Sequence, residues 1–236
     1  VIGGGSGGLS VAAAAAAFGV DVVLLEKGKM GGDCLNYGCV PSKAIIAAGK
    51  HARSIVDGEK FGITVDKTEI DFAKVNGHIK GVIAGIAPHD SPERFRSLGV
   101  NVIEEAGIFL DADTVQAGDT IIKARRFVIA TGSSAFVPPI TGINDVDYLT
   151  NETLFEQTAH PDHLIIIGGG PIGMEMAQAH HRLGSKVTVI EGFKALGKDD
   201  PELAEVVLNN IRREGVVILE GANVVKTSKS KSGVTV

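Results

Sequence analysis

Val1-Ile2-Gly3-Gly4-Gly5-Ser6-Gly7-Gly8, followed downstream by Val22-Val23-Leu24-Leu25-Glu26, is the stretch that decides how this chain folds. A short apolar strand runs into Gly3, Gly5 and Gly8, an alanine-rich helix follows, and a second strand ends in an acid. In a dinucleotide-binding βαβ unit the first glycine makes the tight turn and the second lets the backbone approach a pyrophosphate. The third lets the helix lie against the strand, and the acid about 20 residues on accepts from a ribose hydroxyl. A glycine fingerprint alone is weak; here the strand before it, the helix after it and the acid all fall in place. The run Ala12–Ala17 keeps the helix thin, although alanine is also simply the best helix former. Ser6 in the turn and Lys27 after the acid complete the candidate set of this first loop.

The pattern occurs twice. Ile167-Gly168-Gly169-Gly170-Pro171-Ile172-Gly173 repeats the turn, and Lys186-Val-Thr-Val-Ile190-Glu191 repeats the strand and its acid. A shift of 165 residues aligns the copies without a gap, carrying Gly3, Gly5, Gly8, Gly19, Val22 and Glu26 onto Gly168, Gly170, Gly173, Gly184, Val187 and Glu191. Such a repeat implies two dinucleotide sites, the second using Gly168, Gly170, Ile172, Gly173 and Glu191.

Between the copies lies Cys34-Leu-Asn-Tyr-Gly-Cys39-Val-Pro-Ser-Lys43, which holds the only two cysteines of the chain. Val-Pro-Ser reads as a helix start, because proline in the first turn loses no hydrogen bond. A sulfur at a helix N-terminus with a lysine one turn on is expected to have a lowered pKa in at least one of the two cysteines. A structural disulfide closing so short a loop would add little stability. Zinc is disfavoured by the spacing and by the lack of a second cysteine pair. The reading is redox chemistry exchanged with a nucleotide, with no metal site.

Composition is consistent with an intracellular α/β protein. The 236 residues carry a formal net charge of −5, which argues against nucleic acid or an anionic membrane as partner. Apolar residues make up 44% and glycine is abundant, enough for two packed helix–sheet layers. No apolar run has the length of a membrane span, no signal peptide is visible, and two cysteines suit the cytoplasm. The chain begins without Met inside a strand and stops in a strand-like run, so it is expected to be part of a longer protein.

Helices are expected over 42–56, over 71–86 with Asp71 as N-cap, and from Asp90-Ser-Pro92 to near Gly99. Short strands are expected at 100–104, 107–110, 114–115 and 120–123, and a buried strand at Phe127-Val-Ile-Ala130-Thr131-Gly132. The segment from Val137 to Pro161 reads as a linker, giving a first domain over 1–147 and a second over 148–236. His160 and His163 fall in that linker, His51 on a helix surface, and His180 and His181 on different helix faces. The lysines around 226–231 read as a solvated hairpin.

Taken together, Gly3–Gly8 with Glu26, Gly31-Gly32-Asp33-Cys34 through Cys39-Val-Pro-Ser-Lys43, Ala130-Thr131-Gly132, and Gly168–Glu175 with Glu191 resemble the pyridine nucleotide–disulfide oxidoreductases. This is the flavoprotein family of dihydrolipoamide dehydrogenase, glutathione reductase and mercuric reductase. The resemblance implies an α/β chain with two Rossmann-like domains, one for FAD and one for NAD(P), acting as a cytoplasmic homodimer on a small or lipoyl-type disulfide. It further implies that Cys39 faces the flavin, that Cys34 exchanges with substrate, and that Lys43 near flavin N5 pairs with Glu175. Gly32, Asp33, Gly107, Ala130, Thr131 and Gly132 would line the FAD.

Asp33 stands where the family commonly has Thr, and Pro171 where it often has a bulky residue. The family's C-terminal dimerisation domain and its His-Glu base have no counterpart here, and the second domain is cut short. Lipoamide dehydrogenase-type activity with NAD in preference to NADP is the leading expectation. The stretches Asp90–Phe95 and Leu149–Thr153 lean toward the mercuric reductase branch, which needs further cysteines near its C-terminus. A redox-responsive flavoprotein without turnover is the third reading.

Overall fold

Short apolar strands that alternate with helices have to bury two faces each, and a parallel sheet between helices is the arrangement that does so. The computed structural model of the chain describes residues 1–231 and 233–236. In chain order the elements are α1 (Ser6–Ala17), β1 (Val22–Leu25), α2 (Gly32–Asn36), α3 (Cys39–Asp57), α4 (Phe72–Ile86), α5 (Pro92–Ser97), β2 (Val100–Ile103), β3 (Gly107–Phe109), β4 (Thr114–Ala117) and β5 (Thr120–Lys123). They continue with α6 (Asn151–Leu154), β6 (His163–Ile167), α7 (Pro171–Arg182), β7 (Lys186–Glu191), α8 (Pro201–Glu214), β8 (Val217–Glu220), β9 (Ser228–Ser230) and β10 (Gly233–Thr235).

The chain parts into two compact units, one made of 1–41 with 80–135 and the other of 42–79 with 136–236. In the first, β1 pairs parallel with β2, and Ile2 bridges to both Leu25 and Ile129. Leu9 and Ala12 of α1 pack with Val22, Leu24, Val100, Val102 and Phe95. β3, β4 and β5 form an antiparallel meander, from which Val115 and Ala117 join Ile2 and Leu25 in a second cluster. Short helix α5 starts as expected, with Ser91 Oγ accepting from Arg94 N at 3.2 Å and Pro92 in its first turn.

The second unit is built on a parallel sheet in the order β6-β7-β8. Met174 and Ala177 of α7, Val187 and Val189 of β7, and Ala204, Leu208 and Ile211 of α8 form its core. Asp200 caps α8 through Glu202 N and Leu203 N, and Asp71 caps α4 through Lys74 N at 3.1 Å. α3 and α7 approach closely at Gly49, where a Cβ would lie 3.1 Å from the Ala179 carbonyl oxygen.

Arg182 on α7 reaches Glu214 at the end of α8 with Nε at 2.7 Å and Nη2 at 2.6 Å, and Gln178 adds a bond of 2.8 Å. Their side chains are only 18% and 7% exposed. Burial pushes the Glu214 carboxyl upward, but the bonds from Arg182 outweigh it and hold the group below its ordinary pKa. A carboxyl held low contributes stability that is complete above its unfolded pKa of about 4.3 and lost as pH falls through the folded value. Arg182→Met, which strands that carboxylate, is expected to cost about 3 kcal/mol at neutral pH. In denaturant melts the difference from wild type should shrink as the pH is lowered below about 4.

Three expectations are corrected. Phe127–Gly132 is not a buried strand: it touches Ile2 through a single bridge, Ile2 N donating to Val128 O and Ala130 N to Ile2 O, and Ile129 is 68% exposed. One residue of partner cannot support a ladder. His163 opens β6 instead of lying in a linker, with Nε2 at 2.9 Å from Thr188 Oγ1. The stretch before it is also not featureless, since α6 carries a capping box between Thr150 and Thr153. His51 is on the surface of α3, as expected. His180 and His181 do face differently: His180 is buried beside Met176 O, with its pKa lowered by burial, while His181 Nε2 lies 2.7 Å from Glu214 O. Lys229 and Lys231 are exposed on and beside β9, which pairs with β10; Ser232 lies outside the described residues.

Candidate functional site

The two glycine loops are built by the same bonds. Gly3 N donates to Leu25 O at 2.8 Å, and Gly168 N to Ile190 O at 2.9 Å, with φ of +110° and +111° at the two glycines. Each acid then closes its loop with both oxygens. Glu26 accepts from Gly4 N at 2.6 Å and from Gly28 N at 2.7 Å; Glu191 accepts from Gly169 N at 2.7 Å and from Phe193 N at 2.8 Å. The reading of these acids as ribose acceptors missed this second duty. Alignment of the repeat at Gly4 and Gly169 was the signal that held it.

The repeat extends further than the glycines. Gly31 N donates to Gly4 O at 2.9 Å, and at the same offset Leu196 N donates to Gly169 O at 2.8 Å. Gly31 has φ of +86°; Leu196 has +52° and is the non-glycine residue with positive φ among those described. Leu196 therefore takes a left-handed conformation because the second loop copies the frame of the first.

Both helices that follow the loops start on a glycine with no side-chain cap, Gly5 for α1 and Gly170 for α7. Their first N–H groups point out of the helix end, the arrangement that receives a phosphate. Close packing leaves no room for side chains behind that face. A Cβ on Gly3 would overlap Ala130 O, and one on Gly8 would overlap Gly3 O. The donor set and the glycine cradle thus fit a dinucleotide in each loop. Ser6, Thr131, Gly132 and Lys27 are exposed in the first unit, while Ile172 is 69% exposed at the start of α7. Gly107 is set into the core instead, where a Cβ would lie 2.8 Å from Leu25 Cδ1.

The cysteine loop is anchored on the first glycine loop. Gly5 and Gly31 form a bridge, and Gly32 lies so near Gly5 that a Cβ on it would come within 2.6 Å of the Gly5 Cα. Asn36 Nδ2 then ties the loop together by donating to Met30 O at 3.1 Å and Gly32 O at 2.9 Å. Cys34 sits half-buried in α2 and Cys39 exposed at the first position of α3, both as thiols not joined in a disulfide.

The expectation of a lowered thiol pKa fails for Cys34, which is raised. The largest cause is its hydrogen bond to Cys39; partial burial, negative charge on Cys39 and the carboxylate of Asp33 add to it, while the backbone of Cys39 opposes. Four residues into α3, Lys43 Nζ meets Glu175 at 2.7 and 2.9 Å and Ser42 Oγ at 3.3 Å. At 61% and 37% exposure this ion pair adds little stability, so its consequence is the placement of two charges.

Comparison with known proteins gives the same answer as the geometry. The whole chain, residues 1–236, matches the family described as pyridine nucleotide-disulphide oxidoreductase. Mercuric reductase of Lysinibacillus sphaericus is 33% identical over 98% of this chain, which spans 42% of that protein. Dihydrolipoyl dehydrogenase of Acholeplasma laidlawii is also 33% identical over 98% of this chain, covering 70% of its length. Among solved structures, the HOCl-induced flavoprotein disulfide reductase RclA of Escherichia coli superposes with a TM-score of 0.85 at 26% identity, over 99% of this chain and 51% of RclA. The chain thus spans between 42% and 70% of the length of these relatives. Two glycine–acid loops of one design, a thiol pair built onto the first of them and a match along every residue place this chain in the pyridine nucleotide-disulphide oxidoreductase family, whose cofactors are FAD and NAD(P)H.

Proposed function

We propose that the protein is an FAD-dependent, NADH-linked disulfide oxidoreductase of the dihydrolipoyl dehydrogenase type, acting as a homodimer on a small or lipoyl-type disulfide. The observation that carries the reading is the hydrogen-bonded Cys34–Cys39 thiol pair seated on a dinucleotide loop. In this reading 1–147 is the FAD domain and 148–236 the NAD domain.

FAD, when bound, supplies a two-electron relay between the nicotinamide and the thiol pair. The chain's own residues hold and position. The uncapped start of α1 and that of α7 receive a pyrophosphate each, and Glu26 and Glu191 keep lone pairs for ribose hydroxyls after binding their loop N–H groups. Lys43, fixed by Glu175, sets a positive charge one turn after Cys39. Cys34, once deprotonated, attacks one sulfur of an external disulfide and expels the other half as a thiolate. Cys39 then attacks Cys34, closing the Cys34–Cys39 disulfide and releasing the second half as a thiolate.

A mercuric reductase-type activity is the second reading. It is favoured by relatives of that name at the same identity as the dihydrolipoyl dehydrogenases. Turnover of the full-length protein with NADH and either lipoamide or Hg(II) separates the two, and loss of activity with both would remove the enzyme reading.

The same assay tests the nicotinamide. A 2′-phosphate would meet the Glu191 carboxylate as a like charge, and the residues that follow are Gly192 and Phe193, with Lys194 as the nearest cation in sequence. NADH is therefore expected to exceed NADPH in kcat/KM by about tenfold or more. A clear preference for NADPH would overturn the assignment of Glu191.

A further inference from the structure

The bonds that shape the second glycine loop do not end within it. Gly169, its middle glycine, is held on both sides: its N–H donates to Glu191 Oε2 at 2.7 Å, and its carbonyl oxygen accepts from Leu196 N at 2.8 Å. Ala195 lies directly against it, since a Cβ on Gly169 would stand 3.0 Å from the Ala195 Cβ. Whatever fixes Ala195 and Leu196 therefore fixes the turn that leads into Gly170 and α7.

That anchor is Glu220, the last residue of β8, which pairs in register with Glu191. Its Oε1 accepts from Ala195 N at 2.9 Å, and its Oε2 accepts from Arg212 Nη2 of α8 at 2.6 Å. Ala195 is only 3% exposed, so removal of the Glu220 carboxylate leaves a buried N–H unpaired. Leu196 beside it has a left-handed backbone, which a residue with a Cβ keeps only where its surroundings impose it. The first loop is braced from another direction. Met30, in the place of Ala195, is held through its carbonyl oxygen by Asn36 Nδ2 at 3.1 Å.

We propose that Glu220 is a positioning residue of the second dinucleotide site. Acting through Ala195 and Leu196, it holds the Gly168–Gly170 turn in the shape that receives a pyrophosphate, and so sets the affinity for the ADP-ribose half of the nicotinamide cofactor. The inference rests on the reading of this loop as the NAD site.

The test uses the full-length protein with FAD bound, oxidising NADH with ferricyanide as electron acceptor. The KM for NADH and the inhibition constant of ADP-ribose read the loop; kcat at saturating NADH and the FAD-to-protein ratio read the rest of the molecule. Glu220→Ala should raise both the KM and the inhibition constant about tenfold, with kcat within about twofold of wild type and FAD content unchanged. Glu220→Gln keeps an oxygen that can accept from Ala195 N, while Arg212, with 36% of its side chain exposed, can turn to solvent. That variant should recover affinity to within about threefold of wild type. A Glu220→Gln protein as weak as Glu220→Ala would overturn the proposal. So would a loss of kcat and FAD in step with the loss of affinity, which is the mark of a damaged fold. Unaltered affinity in Glu220→Ala beside normal NADH oxidation would remove the proposal alone. A wild-type protein that neither oxidises NADH nor binds ADP-ribose would remove the reading of the loop as the NAD site, and the proposal with it.

Discussion

Cys39→Ser in the full-length protein is expected to abolish disulfide turnover, lowering kcat by about four orders of magnitude or more, as removal of a nucleophile does elsewhere. It should also remove the long-wavelength absorption that a thiolate gives when it lies against oxidised flavin, so that the variant with oxidised flavin is plain yellow. Cys34→Ser should lose turnover as well, yet keep that absorption. The division is the one that the family resemblance implies. Cys34 is the half-buried donor of the thiol pair, whereas Cys39 opens α3 with Lys43 one turn further on. Absorption spectra of the two variants with the flavin oxidised, before any NADH is added, decide the matter. Identical spectra would dissolve the distinction between the sulfurs.

An equally large effect on the fold is expected at Gly8. Its missing side chain is where the Gly3 carbonyl oxygen lies, and a methyl group there would overlap backbone on which the turn depends. Neither partner is the flexible end of a side chain, so the strand-to-helix turn itself has to move. Gly8→Ala should destabilise the first unit by about 3 kcal/mol or more and strip the flavin. Gly173→Ala should do the same to the second loop, since its Cβ would overlap Gly168 O. Denaturant melts and the bound flavin-to-protein ratio measure the two separately. Wild-type stability with full flavin in Gly8→Ala would show that the turn can shift at little cost.

How far the sequence was legible depends on whether a feature is local. The glycine loops were legible because each glycine answers a steric demand set within a few residues, and the repeat stated that demand twice. Asp71, Ser91 with Pro92, and the thiol motif were legible for the same reason. Phe127–Gly132 misled because its composition promises a strand, while a strand exists only if a neighbour offers a ladder, and Ile2 offers one residue. His163 was assigned to a linker although the apolar run that follows it belongs to β6. The expectation of a lowered thiol pKa named neither sulfur, and the rise at Cys34 comes first from its hydrogen bond to Cys39, a contact that is not written in the spacing. Leu196 gave no warning at all, since nothing in its own type suggests a left-handed backbone.

Glu26 and Glu191, each with both oxygens on loop N–H groups at matching offsets, have a consequence for where cofactor identity is encoded. Two copies of one clamp cannot tell a flavin dinucleotide from a nicotinamide one. The shared frame carries the message that a dinucleotide with a free ribose hydroxyl binds and says nothing about whether it bears a flavin or a nicotinamide. That choice must be spelled by positions where the copies disagree, among them Ser6 against Pro171, Gly7 against Ile172, Lys27 against Gly192, Gly28 against Phe193 and Gly31 against Leu196. Those in and beside the two turns are the letters to exchange first when one loop is to be rewritten as the other.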